Sequence, residues 1–160
     1  MLPRRPLIRR FDSDRNVLES LPGSARALDR RQLRRGSMNI RKVDIAAAFA
    51  MFAETFSPKI VADLNGQQVK LVRAEGDKVP WHTHEKEDEM FLVLEGVLSV
   101  MWTDGLAELN PLEFIVIPKG VAHRVVPDGH VKLLLFEPAT TEHTGKVRSE
   151  ITKDKLDRLI

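Results

Sequence analysis

The stretch Gly76–Gly96, G-D-K-V-P-W-H-T-H-E-K-E-D-E-M-F-L-V-L-E-G, decides how this chain is read. Between its two glycines stand His82, His84 and Glu89, three side chains of metal-ligating type. Residues two apart on a β-strand point the same way, so His82 and His84 can aim both imidazoles at one point. The polar run Glu85 to Asp88 reads as a turn and the apolar run Met90 to Leu94 as the returning strand. Glu89 opens that strand and can swing its carboxylate back toward the histidines. A fourth candidate, His123, follows in P-K-G-V-A-H, where Pro118 and Gly120 shape a turn. Three imidazoles and one carboxylate from two hairpins give the central expectation: a mononuclear metal site inside a small β-barrel.

Working outward, 160 residues with 42% apolar content allow one domain with a real core and a tail. There is no cysteine, which removes disulfides and thiolate metal sites and fits a reducing compartment. A cytoplasmic location is the expectation. The longest apolar run, Ile45 to Ala53, is far short of the roughly 20 residues of a membrane helix, so no membrane partner is expected.

Residues 1–37 carry ten arginines, no lysine and four acids, whereas residues 38–160 carry fifteen Lys and Arg against nineteen acids. The high pI therefore belongs to the leader, and no nucleic-acid partner is inferred from it. Pro3, Pro6, Pro22 and Gly23 interrupt the leader, which shows no sustained period. It reads as a basic arm for an anionic partner, as a transit peptide opposed by Asp12, Asp14, Glu19 and Asp29, or as upstream sequence with the functional protein beginning at Met38. The last is favoured, and residues 38–160 are taken as the single domain.

Asp44 can cap a helix over Ile45 to Phe56, with Phe49, Phe52 and Phe56 at spacings of three and four, ended by Ser57-Pro58. Strands are expected at Lys59–Leu64 and Gln67–Ala74 around Asn65-Gly66, the strongest short hairpin signal. Further strands are expected at Val79–His84, Glu89–Leu94, Val97–Thr103 and Leu106–Leu109, the last two flanking Asp104-Gly105. Phe114–Ile117, His123–Val126 and Val131–Phe136 follow, with Pro127-Asp128-Gly129 as a turn. Many short strands punctuated by turn residues argue for an all-β sandwich or barrel. A short helix is expected at Thr152 to Ile160, packing Ile151, Leu156, Leu159 or Ile160 onto the barrel or a partner chain.

With these residues in view, the chain resembles the cupin superfamily, in particular small single-domain "cupin 2" proteins of the RmlC-like jelly-roll type. The first motif of that family is G-x5-H-x-H-x4-E-x6-G, and Gly76, His82, His84, Glu89 and Gly96 fall on every fixed position. The second is G-x5-P-x-G-x2-H-x3-N. Pro118, Gly120 and His123 match it, but Leu112 stands where the glycine belongs and Pro127 where the asparagine belongs. The resemblance covers residues 38–160 and implies a jelly-roll barrel, one divalent ion and a small-molecule ligand or substrate. Members loosely labelled mannose-6-phosphate isomerase-like do not settle the chemistry, because one fold hosts many functions.

Each feature has a plainer alternative. His82 and His84 can be exposed strand-edge histidines, Glu89 part of a solvated acidic turn with Glu85, Glu87 and Asp88, and His123 a turn residue. The shared motif spacing favours ligation for the four; the other three acids are read as solvated. His130 and His143 read as surface residues, Trp81 as packing away from the metal, and Asp44, Asp63 and Glu137 as caps or solvated charges. By strand parity Phe91 and Val93 follow Glu89 inward and Val125 follows His123, giving the cavity an apolar wall.

A divalent ion in this donor set carries a net charge near +1. Mn, Fe, Co, Ni, Cu and Zn all suit nitrogen and oxygen donors without sulfur. Such an ion serves a sugar-type isomerase or a dioxygenase, or sits in a non-catalytic metal- or ligand-binding protein. Lys70, Arg73, Arg124 and Lys132 are candidates for gripping an anionic substrate, with parity against Arg124; no general base is identifiable. A free edge strand and an apolar helix suggest a homodimer.

Overall fold

The computed structural model describes residues 40–160, and the expectations for the leader lie outside the described residues. The chain runs α1 (Ile45–Phe49), β1 (Lys59–Leu64), β2 (Gln67–Ala74), β3 (Glu89–Trp102), β4 (Gly105–Leu109), β5 (Phe114–Ile117), β6 (His123–Pro138), β7 (His143–Lys146) and β8 (Asp157–Arg158). The strand order is β4-β3-β6-β2-β1-β8, with β5 also paired to β3. It is an all-β jelly-roll arrangement with very little helix.

Asp44 caps α1 as expected, its Oδ1 accepting from the Ala47 N–H at 3.0 Å. The helix stops at Phe49, not Phe56, because the Arg73 guanidinium takes the carbonyls of Phe49 and Phe52 at 2.7 and 3.0 Å. Phe52 and Phe56 are still buried, but from irregular backbone. No described helix is long and apolar enough to cross a membrane.

The β1–β2 hairpin forms with the expected bounds. Asn65 (φ 53°) and Gly66 (φ 80°) both take the left-handed conformation that a two-residue primed turn needs. The strands expected at Glu89–Leu94 and Val97–Thr103 are one strand, β3, with register shifts around Glu95. Those bulges flip parity, so Glu89, Phe91 and Val93 are buried before them and Leu98 and Val100 after. Pro127-Asp128-Gly129 likewise makes no turn between separate strands, since β6 runs through it with Pro127 opposite Leu98 and Asp128 opposite Val97.

The expected hairpin of Val79–His84 with Glu89–Leu94 is absent. Instead β3 pairs with β5 and β6, and the Val79–His84 segment forms a single bridge, His82 to His123.

No helix forms at Thr152–Ile160. Asp157 and Arg158 pair in parallel with Lys59 and Ile60, and Leu159 N–H donates to the Ile60 carbonyl at 2.9 Å. The edge of β1 offers this tail open hydrogen-bonding groups, and pairing there outcompetes one turn of isolated helix.

Two apolar clusters result. One fills the interior and includes Val72, Phe91, Val93, Val125, Leu133 and Leu135, with Ile151 from the tail. The other, Phe49, Phe52, Val61 and Leu71, lies on the outer face of β1 and β2 beneath α1, with Leu159 and Ile160 against it. Each fully buried Val, Leu or Phe contributes roughly 1.5–3 kcal/mol. The interior is the rigid wall on which the polar groups below are mounted.

Candidate metal centre

His82, His84, Glu89 and His123 are all buried, and one ligand atom from each lies within 4.8 Å of all the others. Two loops and two strand starts bring them together. Glu89 is the first residue of β3 and His123 the first of β6. The loop before β3 is stitched to β6 by reciprocal backbone bonds, His82 N–H to His123 O at 3.0 Å and His123 N–H to His82 O at 2.9 Å. The Pro118–Gly120 turn is tied to the same loop, with Gly120 N–H donating to His84 O at 2.7 Å.

Each of two rings is held by a carbonyl two residues earlier in the chain. His82 Nδ1 lies 2.9 Å from Pro80 O and His123 Nδ1 lies 3.0 Å from Val121 O. A ring that donates through Nδ1 leaves Nε2 as the free donor atom, the arrangement found behind metal-bound histidines. Glu89 Oε2 lies 3.2 Å from His123 Nε2 and 3.3 Å from His84 Nε2. The second approach is not aligned as a hydrogen bond, so His84 Nε2 is buried without a partner. Burial alone would push the Glu89 pKa up, but the His123 and His84 imidazoles outweigh it and hold it at about 2. Burial lowers the His82 pKa, against the pull of the Pro80 carbonyl. For His84 burial also lowers it, but the Glu89 carboxylate more than reverses this and the net shift is upward. A buried carboxylate, three converging imidazoles and an orphaned ring nitrogen fit a divalent cation.

The cluster lies between two kinds of space. On one side is an apolar pocket of about 40 Å³, whose walls include Val72, Phe91, Val125 and Leu135 beside His82 and Glu89. Val93, also expected in the wall, is fully buried in the core behind it. On the other side an open polar pocket of about 590 Å³ has His84 in its wall, with Glu85, Glu87, Thr140 and Lys146. Residues 139–146, ending in β7, form a strap over this end. Thr140 Oγ1 donates to Glu87 at 3.0 Å, and Lys146 Nζ donates to Glu85 at 2.8 Å. Two of the acids expected to be free are thus bonded to the strap.

Several other side chains differ from expectation. His143 is no surface residue: it is half-buried on β7, lines the apolar pocket, and burial pushes its pKa down to about 4. Glu137 is neither cap nor solvated charge. It is 4% exposed and paired with buried Lys70 at 2.8 Å. Of the cations expected to grip an anion, Arg73 holds carbonyls near α1, Arg124 pairs with Asp77 and Lys132 with Glu95. Trp81, expected to pack, is 44% exposed. His130 is on the surface beside Glu75, and Asp63 is exposed beside Arg158, both as read. The Lys70–Glu137 pair was findable only through parity, since Lys70, Val72 and Ala74 share the inner face of β2.

A cupin domain family model matches residues 69–137. A cupin-2 domain containing protein from Shewanella frigidimarina is 36% identical, covering 60% of this chain and 93% of its own, with a TM-score of 0.58. A Neisseria meningitidis protein is 28% identical over 62% of this chain and 100% of its own, with a TM-score of 0.56. Quercetin 2,3-dioxygenase from Bacillus subtilis is 38% identical over 71 residues, 39% of this chain. The match spans only 21% of that relative's length.

Proposed function

The chain belongs to the cupin family, and from that premise we propose that it is a small-molecule enzyme with one divalent ion held by His82, His84, Glu89 and His123. The observation that carries this is the buried four-donor cluster with its unpartnered His84 Nε2 at the wall of an open pocket. When bound, such an ion draws electron density from a hydroxy-carbonyl or dihydroxy substrate and leaves room for a second small reactant.

The chain's own residues supply the rest. Nδ1 contacts to Pro80 and Val121 keep two rings in one tautomer and one orientation. The 590 Å³ pocket admits the substrate, and its acidic rim of Glu85, Glu87 and Glu142 disfavours phosphates and dicarboxylates despite Lys86 and Lys146. The 40 Å³ apolar pocket has room for a molecule of about two or three heavy atoms. That size and polarity suit dioxygen, so the reading is a dioxygenase. The likeness to quercetin 2,3-dioxygenase supports the same direction. Homodimerisation is proposed alongside it: Phe114 and Val116 on β5 are 62% and 48% exposed, an apolar edge a second copy could cover.

The test is metal analysis of protein purified without a histidine tag, followed by oxygen uptake with catechols and β-diketones. One ion per chain, lost in His82→Ala with His84→Ala, and oxygen consumption by the iron form are expected. Turnover of aldose phosphates without oxygen uptake would move the assignment to an isomerase. A retained ion with silent substrate panels would move it to a non-catalytic binding protein. No ion at all would leave only the scaffold.

A further inference from the structure

We propose that Glu137, anchored by Lys70, is the specificity-determining residue of this pocket: its free oxygen accepts a hydrogen bond from a substrate hydroxyl beside the two oxygens that chelate the ion. The ligand class is a small neutral molecule with at least three adjacent hydroxyl or carbonyl oxygens. The inference rests on the metal-site reading above.

The placement follows from register. Met90 pairs with Phe136 across β3 and β6, so one residue further along each strand Glu89 and Glu137 come to facing positions on the inner face. Facing residues sit about 5 Å apart, within the reach of one substrate molecule. Both side chains are buried, at 5% and 4% exposure. Gln68 is the direct partner of Glu137 on β2, and Lys70, two residues along, reaches it diagonally. Lys70 Nζ takes only one of the two carboxylate oxygens, Oε1 at 2.8 Å.

The other oxygen, Oε2, is buried with no hydrogen-bond partner, and so is Thr141 Oγ1 on the strap that follows β6. A buried carboxylate oxygen with no donor carries the whole cost of its lost hydration. Lys70 and Thr141 both line a pocket of about 560 Å³ beneath the strap, together with His143. His143 also borders the apolar pocket next to His82 and Glu89, so the space beneath the strap and the four-donor cluster share one end of the barrel, with Glu137 buried between Lys70 and Glu89. A donor without positive charge suits the position, because Lys70 already balances the carboxylate. A substrate anion does not, because two inward carboxylates would oppose it.

The experiment uses the full chain loaded with zinc, without oxygen, at pH 8, where the Glu137 carboxyl is ionised, and compares catechol with pyrogallol by titration calorimetry. The two probes share a chelating hydroxyl pair and differ by one adjacent hydroxyl. Pyrogallol is expected to bind about tenfold tighter, the worth of one hydrogen bond to a charged acceptor. Glu137→Gln should reduce that preference to the roughly twofold statistical advantage of pyrogallol's two equivalent pairs, with catechol affinity and zinc content kept. Lys70→Met with Glu137→Gln, which leaves no lone buried charge, reads the same preference should the single variant fold poorly. An undiminished preference in these variants, or no preference in the wild type while catechol binds, overturns the inference alone. Failure to hold zinc or bind catechol overturns the metal-site reading, and this inference with it.

Discussion

Lys70 Nζ lies 2.8 Å from Glu137 Oε1, and the two side chains are only 1% and 5% exposed. An ion pair this deep in a barrel holds the fold only while both partners are present. Lys70→Met leaves a lone buried carboxylate and is expected to cost about 3–5 kcal/mol at pH 8. Changing both residues, Lys70→Met with Glu137→Gln, is expected to restore most of that loss. Urea unfolding of the two variants checks it, and equal destabilisation would show that the pair does not act as a unit.

The same pair sets a pH dependence. Burial pushes the Glu137 carboxyl up to about 7, the Glu89 charge adds to the shift, and Lys70 opposes it. A carboxyl that holds its proton more tightly when folded weakens the fold as pH rises. The loss begins above the ordinary carboxylate value and is complete above about 7. Relative to the double variant, metal-free wild type should therefore lose stability between pH 5 and pH 8, by on the order of 3 kcal/mol. Parallel melting profiles across that range would contradict it.

The strap depends on Gly145. Its φ is +51°, and a Cβ there would sit 2.4 Å from the Thr83 carbonyl oxygen, so backbone meets backbone one residue before His84. Gly145→Ala must lift the strap from that loop and is expected to cost about 1–3 kcal/mol. Bound zinc should also leave faster, because the strap covers His84. Thermal melts and release of zinc to a colorimetric chelator read the two effects, and an unchanged release rate would separate the strap from the metal cluster.

The four-donor cluster was legible in the sequence because its members lie at fixed spacing in two short stretches. The hairpin proposed to carry them was not, because a His-x-His pair converges as well from a loop bridged to β6 as from a strand paired with β3. β3 and β6 read as fragments in the sequence because Gly96 and Pro127-Asp128-Gly129 look like turns, while the long partner strand carries the chain straight through. The tail from Thr152 has helical composition, but what decides it is the open edge of β1, which no local pattern records. Glu137 alone looks like a cap or solvated charge, and Lys70 alone like a grip for an anionic substrate. Inner-face parity on β2 together with its pairing to β6 shows them to be partners.

Leu112 stands where the family's second motif has glycine, and the backbone there keeps the conformation glycine would take, φ +71°. The side chain is 80% exposed and its N–H donates to Val93 O at 2.8 Å, so the turn is held by backbone and not by packing. A non-glycine residue in this region costs about 1–2 kcal/mol, and glycine returns about half of that as extra freedom in the unfolded chain. Leu112→Gly is therefore expected to stabilise the protein by on the order of 0.5–1 kcal/mol. It should raise the urea midpoint without changing the slope of unfolding. Destabilisation instead would mean that the exposed leucine is covered in solution by a second copy at the β5 edge, and the effect would then shrink on dilution as the wild type also lost that copy.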